Sequence, residues 1–272
     1  MKIIQYYSQN DIYVGLVEGD LIIPFKFKGN TIDLIKYGDT PSLDESNAIP
    51  IKRIRSAPPI INPTKIIAIG LNYRGHIKES KGHFPELPTI FSKFPNSIIG
   101  NKDWIRWDKT ITKKVDYEAE LAVIIGKRTK DISEEQAPDV IFGYTCANDV
   151  SARDLQFSDG QWIRGKSLDT FCPIGPWIVT KEEIDANNLD IKCYLNGVVM
   201  QDSNTKEMIF PVNYLVSFLS RHFTLYPGDI ILTGTPEGVG AFRKPSVWLK
   251  NGDEIIVEIE GIGRLCNRCK EV

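Results

Sequence analysis

Residues 115–126 read VDYEAELAVIIG, and the fold turns on how this stretch is placed. From Leu121 to Ile125 every residue is apolar, the run is short and rich in β-branched side chains, and Gly126 ends it. Such a run reads as a strand buried on both faces. Just upstream, Asp116, Glu118 and Glu120 occupy alternate positions. Residues two apart on a strand share a face, so the spacing predicts one acidic row. A solvent-facing strand would carry such a row without consequence. Beside a buried strand, the same carboxylates would repel one another and suffer desolvation. A divalent cation removes both penalties. Oxygen donors with no Cys or His favour a hard ion, Mg²⁺ or Mn²⁺, with Ca²⁺ also open.

Working outward, KIIAIG (65–70), YTCAND (144–149), DIILTGT (229–235) and DEIIVEIEG (253–261) also read as strands. The last alternates apolar and acidic residues as a half-exposed strand should. SEEQAPDVIFGYT carries Ser133 and Gln136 in capping-box spacing, predicting a helix that feeds a strand. In FPVNYLVSFLSRHF, Val212, Leu215, Val216 and Leu219 fall at helical spacing behind Pro211. Strands dominate and no repeat is visible, so a strand-rich α+β fold is expected and not a doubly wound sheet. Residues 1–60 read as a small N-terminal α/β domain, and 61–272 as the main one. In the small domain DIYVGLVEGDLIIPF is a hairpin turning at Glu18-Gly19-Asp20, and TIDLIKYG is a short helix with Thr31 as N-cap and Gly38 as stop. The proline-rich SAPPIINP connects the two.

The 272 residues carry 33 Lys plus Arg against 35 Asp plus Glu, a net charge of −2 with no long single-sign block. Nothing in that balance argues for a nucleic acid or a membrane surface as partner. The N-terminal MKIIQYYSQN is not a signal peptide, and no stretch approaches a membrane span. A cytoplasmic location is the expectation. The five cysteines are odd in number and scattered, which does not suit a disulfide scaffold. Cys266 and Cys269 have C-x-x-C spacing but no second pair to complete a zinc site, and are expected to be ordinary thiols.

Further candidates lie on loops and short helices. Asp149 stands where a strand gives way to VSARDLQ, as an N-cap or as a functional group. His76 and Glu79 are three apart and share a face if NYRGHIKES is helical. GQWIRGKS, from Gly160 to Ser167, satisfies a phosphate-loop pattern literally. No apolar strand leads into it and LDTFCPIGP cannot supply the long helix such a loop requires.

AIGLNYRGHIKES, PTIFSKFPNSIIG, VDYEAELAVIIG, GYTCANDVSARDLQ, RGKSLDTFCPIGPWIV, LNGVVMQDSNTKEMIF, GDIILTGTPEGVG and NGDEIIVEIEGIG follow one another in this order. Together they resemble the fumarylacetoacetate hydrolase family over residues 61–272. The resemblance implies a mixed β-roll catalytic domain and an acylpyruvate hydrolase-like enzyme. It places Mg²⁺ or Mn²⁺ on Glu118, Glu120 and Asp149, with Asp116 in support. It implies a lid-borne His76–Glu79 pair that activates water, and Lys166 inside the pocket as a fixed positive charge. Arg153, Gln156, Gly234 and Thr235 become substrate-binding positions.

A 2-oxo acid is the implied substrate, and C–C hydrolysis of a 2,4-dioxo acid the implied reaction. Decarboxylation or isomerisation of a 2-oxo acid, or a sugar-acid lyase reaction, would use the same metal. A catalytically silent binding protein is the reading from another class. Family members are commonly dimeric, so a homodimer is expected. Residues 75–88 and the loop 157–165 are expected to set specificity.

Overall fold

The computed structural model describes residues 1–9 and 11–272. Its centre is the strand Ala119–Ile125, every residue of which is buried. The reason is its neighbours: Ile141–Asn148 pairs along one edge and Ile230–Leu232 along the other, both antiparallel. Leu121, Val123 and Ile125 enter one apolar core, while Ala122 and Ile124 enter another with Ile66, Ala68, Ile230 and Leu232. Two cores served by alternate residues explain why the sequence shows an unbroken apolar run.

The sheet runs Thr89–Lys93, Ile66–Gly70, Ile230–Leu232, Ala119–Ile125, Ile141–Asn148, Cys172–Thr180, Lys2–Ser8, Asp11–Glu18, Leu21–Pro24 and Ile49–Pro50. Most pairs are antiparallel, but Ile230–Leu232 runs parallel to Ile66–Gly70. The strand Lys2–Ser8 joins the N-terminal hairpin to the rest of this sheet: Lys2 and Ile3 pair with Val179 and Ile178, and its other edge pairs with Asp11–Glu18. A second sheet of five strands takes Val198–Asn204, Asp190–Leu195, Glu254–Ile259, Gly263–Glu271 and Trp104–Trp107. Its inner residues, among them Ile191, Ile255, Val257, Ile259 and Leu265, share the larger core with Leu121 and Val123. The architecture is strand-rich and mixed, as the sequence predicts.

Helices are few and short. Helix α1, Thr31–Tyr37, is capped by Asn30 rather than Thr31: Asn30 accepts from Ile32 and Asp33 main-chain N–H groups, and the Asp33 side chain accepts from the Asn30 N–H. Thr31 is diverted because its N–H and hydroxyl both reach Gln5 Oε1. Helix α2 is Arg74–Ser80. Helix α3 is only Ala137–Val140, although Ser133 N–H does donate to Gln136 Oε1 as its spacing suggested. The chain passes straight into the strand at Ile141, leaving room for one turn. Helices α4, Arg153–Ser158, and α5, Ile163–Lys166, follow, and α6, Val212–His222, buries Val212, Leu215, Val216 and Leu219. Burying such side chains contributes roughly 1.5–3 kcal/mol each. That outweighs the marginal helicity of an isolated segment of this length, so packing makes this helix. No helix of the described residues is long and apolar enough to cross a membrane.

Cys266 and Cys269 lie on the strand Gly263–Glu271, where a spacing of three turns their side chains to opposite faces. Cys269 is buried and Cys266 only partly so, and all five cysteines are free thiols. Burial pushes Cys172 and Cys269 up to about 12 and holds Cys146 and Cys193 well above the usual thiol range. Thiolates are the reactive form. In the native protein at pH 8 an aromatic disulfide reagent is therefore expected to titrate at most one thiol, Cys266, rising to five in denaturant. Two or more fast-reacting thiols in the native protein would contradict this packing.

Candidate metal centre and active site

The strand register builds the site. Ala119 faces Asn148 across the antiparallel pair, so one step beyond brings Glu118 opposite Asp149. The turn is tied by Asp149 N–H donating to Glu118 O at 2.9 Å and by Glu118 N–H donating to Asn148 Oδ1 at 3.0 Å. Glu120 lies two residues along from Glu118 and joins it. Glu118, Glu120 and Asp149 each offer a carboxylate oxygen, these oxygens lie within 4.8 Å of one another, and all three residues are buried.

Asp116 does not belong to that group, and the predicted acidic row is broken. Regular pairing stops after Asp116, because Val115–Asp116 forms its own two-residue ladder with Ser151–Ala152 and the long strand starts only at Ala119. The Asp116 carboxylate turns away and is saturated. Oδ1 accepts from Gly240 and Tyr117 N–H at 2.8 and 2.9 Å, and Oδ2 from Ala241 N–H and Arg153 Nε, each at 2.9 Å. It holds Arg153, and Arg153 Nη1 lies 2.7 Å from Glu118 Oε1. Asp149 is not an N-cap either: Ala152 occupies that position of α4.

Charge is distributed unevenly over the three carboxylates. Burial works against ionised Glu118, but Lys166 and Arg153 overcome it and hold the carboxyl well below the usual range. Lys166 Nζ donates to Glu118 Oε2 at 2.8 Å and to Asp149 Oδ2 at 2.6 Å. Burial would lower the Lys166 ammonium, yet Asp149 and Glu118 raise it. Glu120 is pushed well above the usual carboxylate range by burial and then by Asp149 and Glu118. Among the described residues its one hydrogen-bond partner is the Gly234 N–H, at 2.8 Å from Oε2. Gly234 must be glycine: its φ is +97°, and a Cβ there would stand 2.8 Å from the Asn72 Cβ. The centre thus holds one more buried carboxylate than its ammonium and guanidinium groups serve directly. A hard divalent cation fits this all-oxygen donor set.

A cavity of about 100 Å³ opens at the cluster. His76, Glu118, Glu120, Arg153, Gln156, Lys166 and Thr235 all line it, together with Phe91, Phe157, Trp162 and Phe242. Asp149 is not in the wall; it is bonded by Lys166, which is. Glu79 stands behind His76, with Oε1 2.7 Å from Nδ1, and its Oε2 accepts from Gly238 N–H at 2.9 Å. Where that carboxylate is ionised it can only accept, so Nδ1 carries the proton and Nε2 is the ring nitrogen left for chemistry. Gln156 Oε1 accepts from Arg153 Nη1, and Thr235 Oγ1 accepts from Gln201 Nε2. Arg153 Nη2 is buried with no hydrogen-bond partner among the described residues.

Lys93 was missed in the sequence. Its ammonium is buried beneath the cluster, 2.6 Å from Asp149 Oδ1. The signal was present in TIFSK (89–93), where Lys93 shares a strand face with Phe91, a wall of the cavity. Phe242, the aromatic wall at His76, was also missed, whereas Trp162, the wall at Phe91, falls in the loop 157–165 expected to set specificity.

Comparison with known proteins agrees with the geometry. Residues 65–270 match the family model described as fumarylacetoacetate (FAA) hydrolase C-terminal. An uncharacterized protein of Methanocaldococcus jannaschii is 56% identical over 211 residues, 78% of this chain and 85% of that protein. A mitochondrial oxaloacetate tautomerase of Rattus norvegicus is 48% identical over 222 residues, 81% of this chain and 71% of that protein. A fumarylacetoacetate hydrolase from Exiguobacterium antarcticum has a structure superposing with a TM-score of 0.91 at 37% identity, over the whole of both chains. A 2-hydroxyhepta-2,4-diene-1,7-dioate isomerase from Mycobacterium marinum gives 0.85 at 36% identity, covering 100% of this chain and 98% of that one. Over three quarters of its length, the chain belongs to the fumarylacetoacetate hydrolase family.

Proposed function

We propose that the protein is a divalent-metal-dependent enzyme that interconverts the keto and enol forms of a 2-oxo dicarboxylic acid of the oxaloacetate type. The observation that carries this reading is the His76–Glu79 pair standing at the same small cavity as three buried carboxylates. Relatives named oxaloacetate tautomerases, and structural neighbours named isomerases, support the reaction class.

Glu118, Glu120 and Asp149 would hold Mg²⁺ or Mn²⁺, which when bound supplies Lewis acidity toward the 2-oxo oxygen and the adjoining carboxylate. His76 Nε2 takes the proton from the carbon next to the 2-oxo group and delivers it to the enolate oxygen, and the reverse reaction retraces both transfers. Glu79 keeps the ring in the required tautomer and stabilises the imidazolium that forms. The free Arg153 Nη2 and the Lys166 ammonium supply N–H donors for substrate carboxylates and for the oxygen that gains charge. Phe91, Trp162, Phe157 and Phe242 keep the wall opposite these charges apolar and restrict water.

C–C hydrolysis of a 2,4-dioxo acid is the second reading. The His76–Glu79 pair favours it, since a ring nitrogen oriented by a carboxylate can also serve as base toward water. A homodimer is proposed with either reaction.

Removal of divalent ions with a chelator is expected to abolish oxaloacetate tautomerisation, and Mg²⁺ or Mn²⁺ to restore it, as followed by loss of enol absorbance. Glu118→Ala and Asp149→Ala are expected to be inactive at any metal concentration. Acylpyruvate turnover with no effect on the oxaloacetate enol would select hydrolysis instead.

His76→Ala is expected to lower kcat by about 10²- to 10⁴-fold, the usual worth of a placed acid–base group. Calorimetric titration should find Mn²⁺ affinity in this variant within a few-fold of the parent. Undiminished turnover would remove His76 from the chemistry.

A further inference from the structure

Lys93 is a buried ammonium that the proposed chemistry does not use. It ends the strand Thr89–Lys93, its side chain is fully buried, and it is not part of the cavity wall. Its three protons have three acceptors: Asp149 Oδ1 at 2.6 Å, Val150 O at 3.2 Å, and the Lys166 main-chain oxygen. It therefore bonds one metal-binding carboxylate and, through the main chain, the residue that carries the other ammonium of the site. Asp149 is gripped on both oxygens, Oδ1 by Lys93 and Oδ2 by Lys166. The two grips are not equivalent. Lys166 lines the cavity, and a turn into it on its flexible stem would free Oδ2. Lys93 has nowhere to turn, so Oδ1 stays occupied.

We propose that Lys93 is a positioning residue that limits Asp149 to a single available oxygen and thereby makes the centre prefer Mg²⁺ or Mn²⁺ over Ca²⁺. The inference rests on the reading of Glu118, Glu120 and Asp149 as cation ligands. Calcium takes six to eight oxygens and accepts both oxygens of one carboxylate, whereas magnesium demands a compact octahedron and keeps several waters. A carboxylate with one oxygen permanently capped suits the smaller ion. With the ammonium gone, Oδ1 becomes free, Asp149 can present both oxygens, and the larger ion gains.

The ratio of two affinities isolates this effect. Loss of a positive charge near the centre strengthens attraction for either dication alike, and a general weakening of the fold acts on both alike. Titration calorimetry of the metal-free full chain with Mg²⁺ and with Ca²⁺ gives the ratio for the parent and for Lys93→Met. The preference for Mg²⁺ is expected to fall on the order of tenfold in the variant, the lower end of what supporting residues contribute at metal sites. Lys93→Gln keeps two N–H donors without the charge, and gives an intermediate ratio should Lys93→Met not fold. An unchanged ratio in a folded variant overturns the role of Lys93 and leaves the metal centre standing. A parent protein that takes up neither ion overturns both.

Discussion

Three carboxylates in one buried space are the constraint that the rest of this molecule answers. Each would be costly alone, and together they repel. The strand register brings Glu118 and Asp149 face to face and Glu120 beside them, and no rearrangement short of unpairing two central strands separates them. Two lysines and an arginine are drawn in from three different elements to offset the charge. The walls of the cavity are set by where those elements must dock. Removing one member of such a group leaves its partner buried and unpaired, which is why these contacts behave as a unit.

The supporting contacts form a second layer with its own logic. Asp116 spends all its acceptor capacity on three main-chain N–H groups and Arg153, so its charge orients Arg153, which in turn meets Glu118. Asn72 spans the chain between Phe210 and Thr233, accepting from the Phe210 N–H and donating to both carbonyls. That anchors the entry to α2, and with it the placement of His76 and Glu79. Side chains outside the cavity thus set the positions of those that line it.

Much of this was legible in the sequence because it rests on local pattern. The unbroken run Leu121–Ile125 announced a two-faced strand, and the alternation in Glu254–Ile259 announced a half-exposed one. The i, i+3 relation of His76 and Glu79 placed them on one turn, and the structure bonds them. What escaped depends on partners distant in sequence. Asp116 looked like a third member of an acidic row because spacing alone cannot show where a strand breaks; its diversion is decided by Gly240 and Ala241, more than a hundred residues away. Thr31 lost its capping role to a glutamine on the first strand, which no local rule could supply. Lys93 was overlooked because a lysine ending an amphipathic strand ordinarily points to solvent.

The segment from Gly234 to Ala241 is a point of fragility. Within eight consecutive positions its amides reach the buried carboxylate of Glu120, the partner of the imidazole at Glu79, and the anchor of the guanidinium at Asp116. The candidate cation ligands and the proposed acid–base pair thereby hang from a common thread. Lengthening or shortening that thread by one residue would put all three attachments out of step simultaneously, so injuries there should cripple the centre wholesale instead of dissecting it.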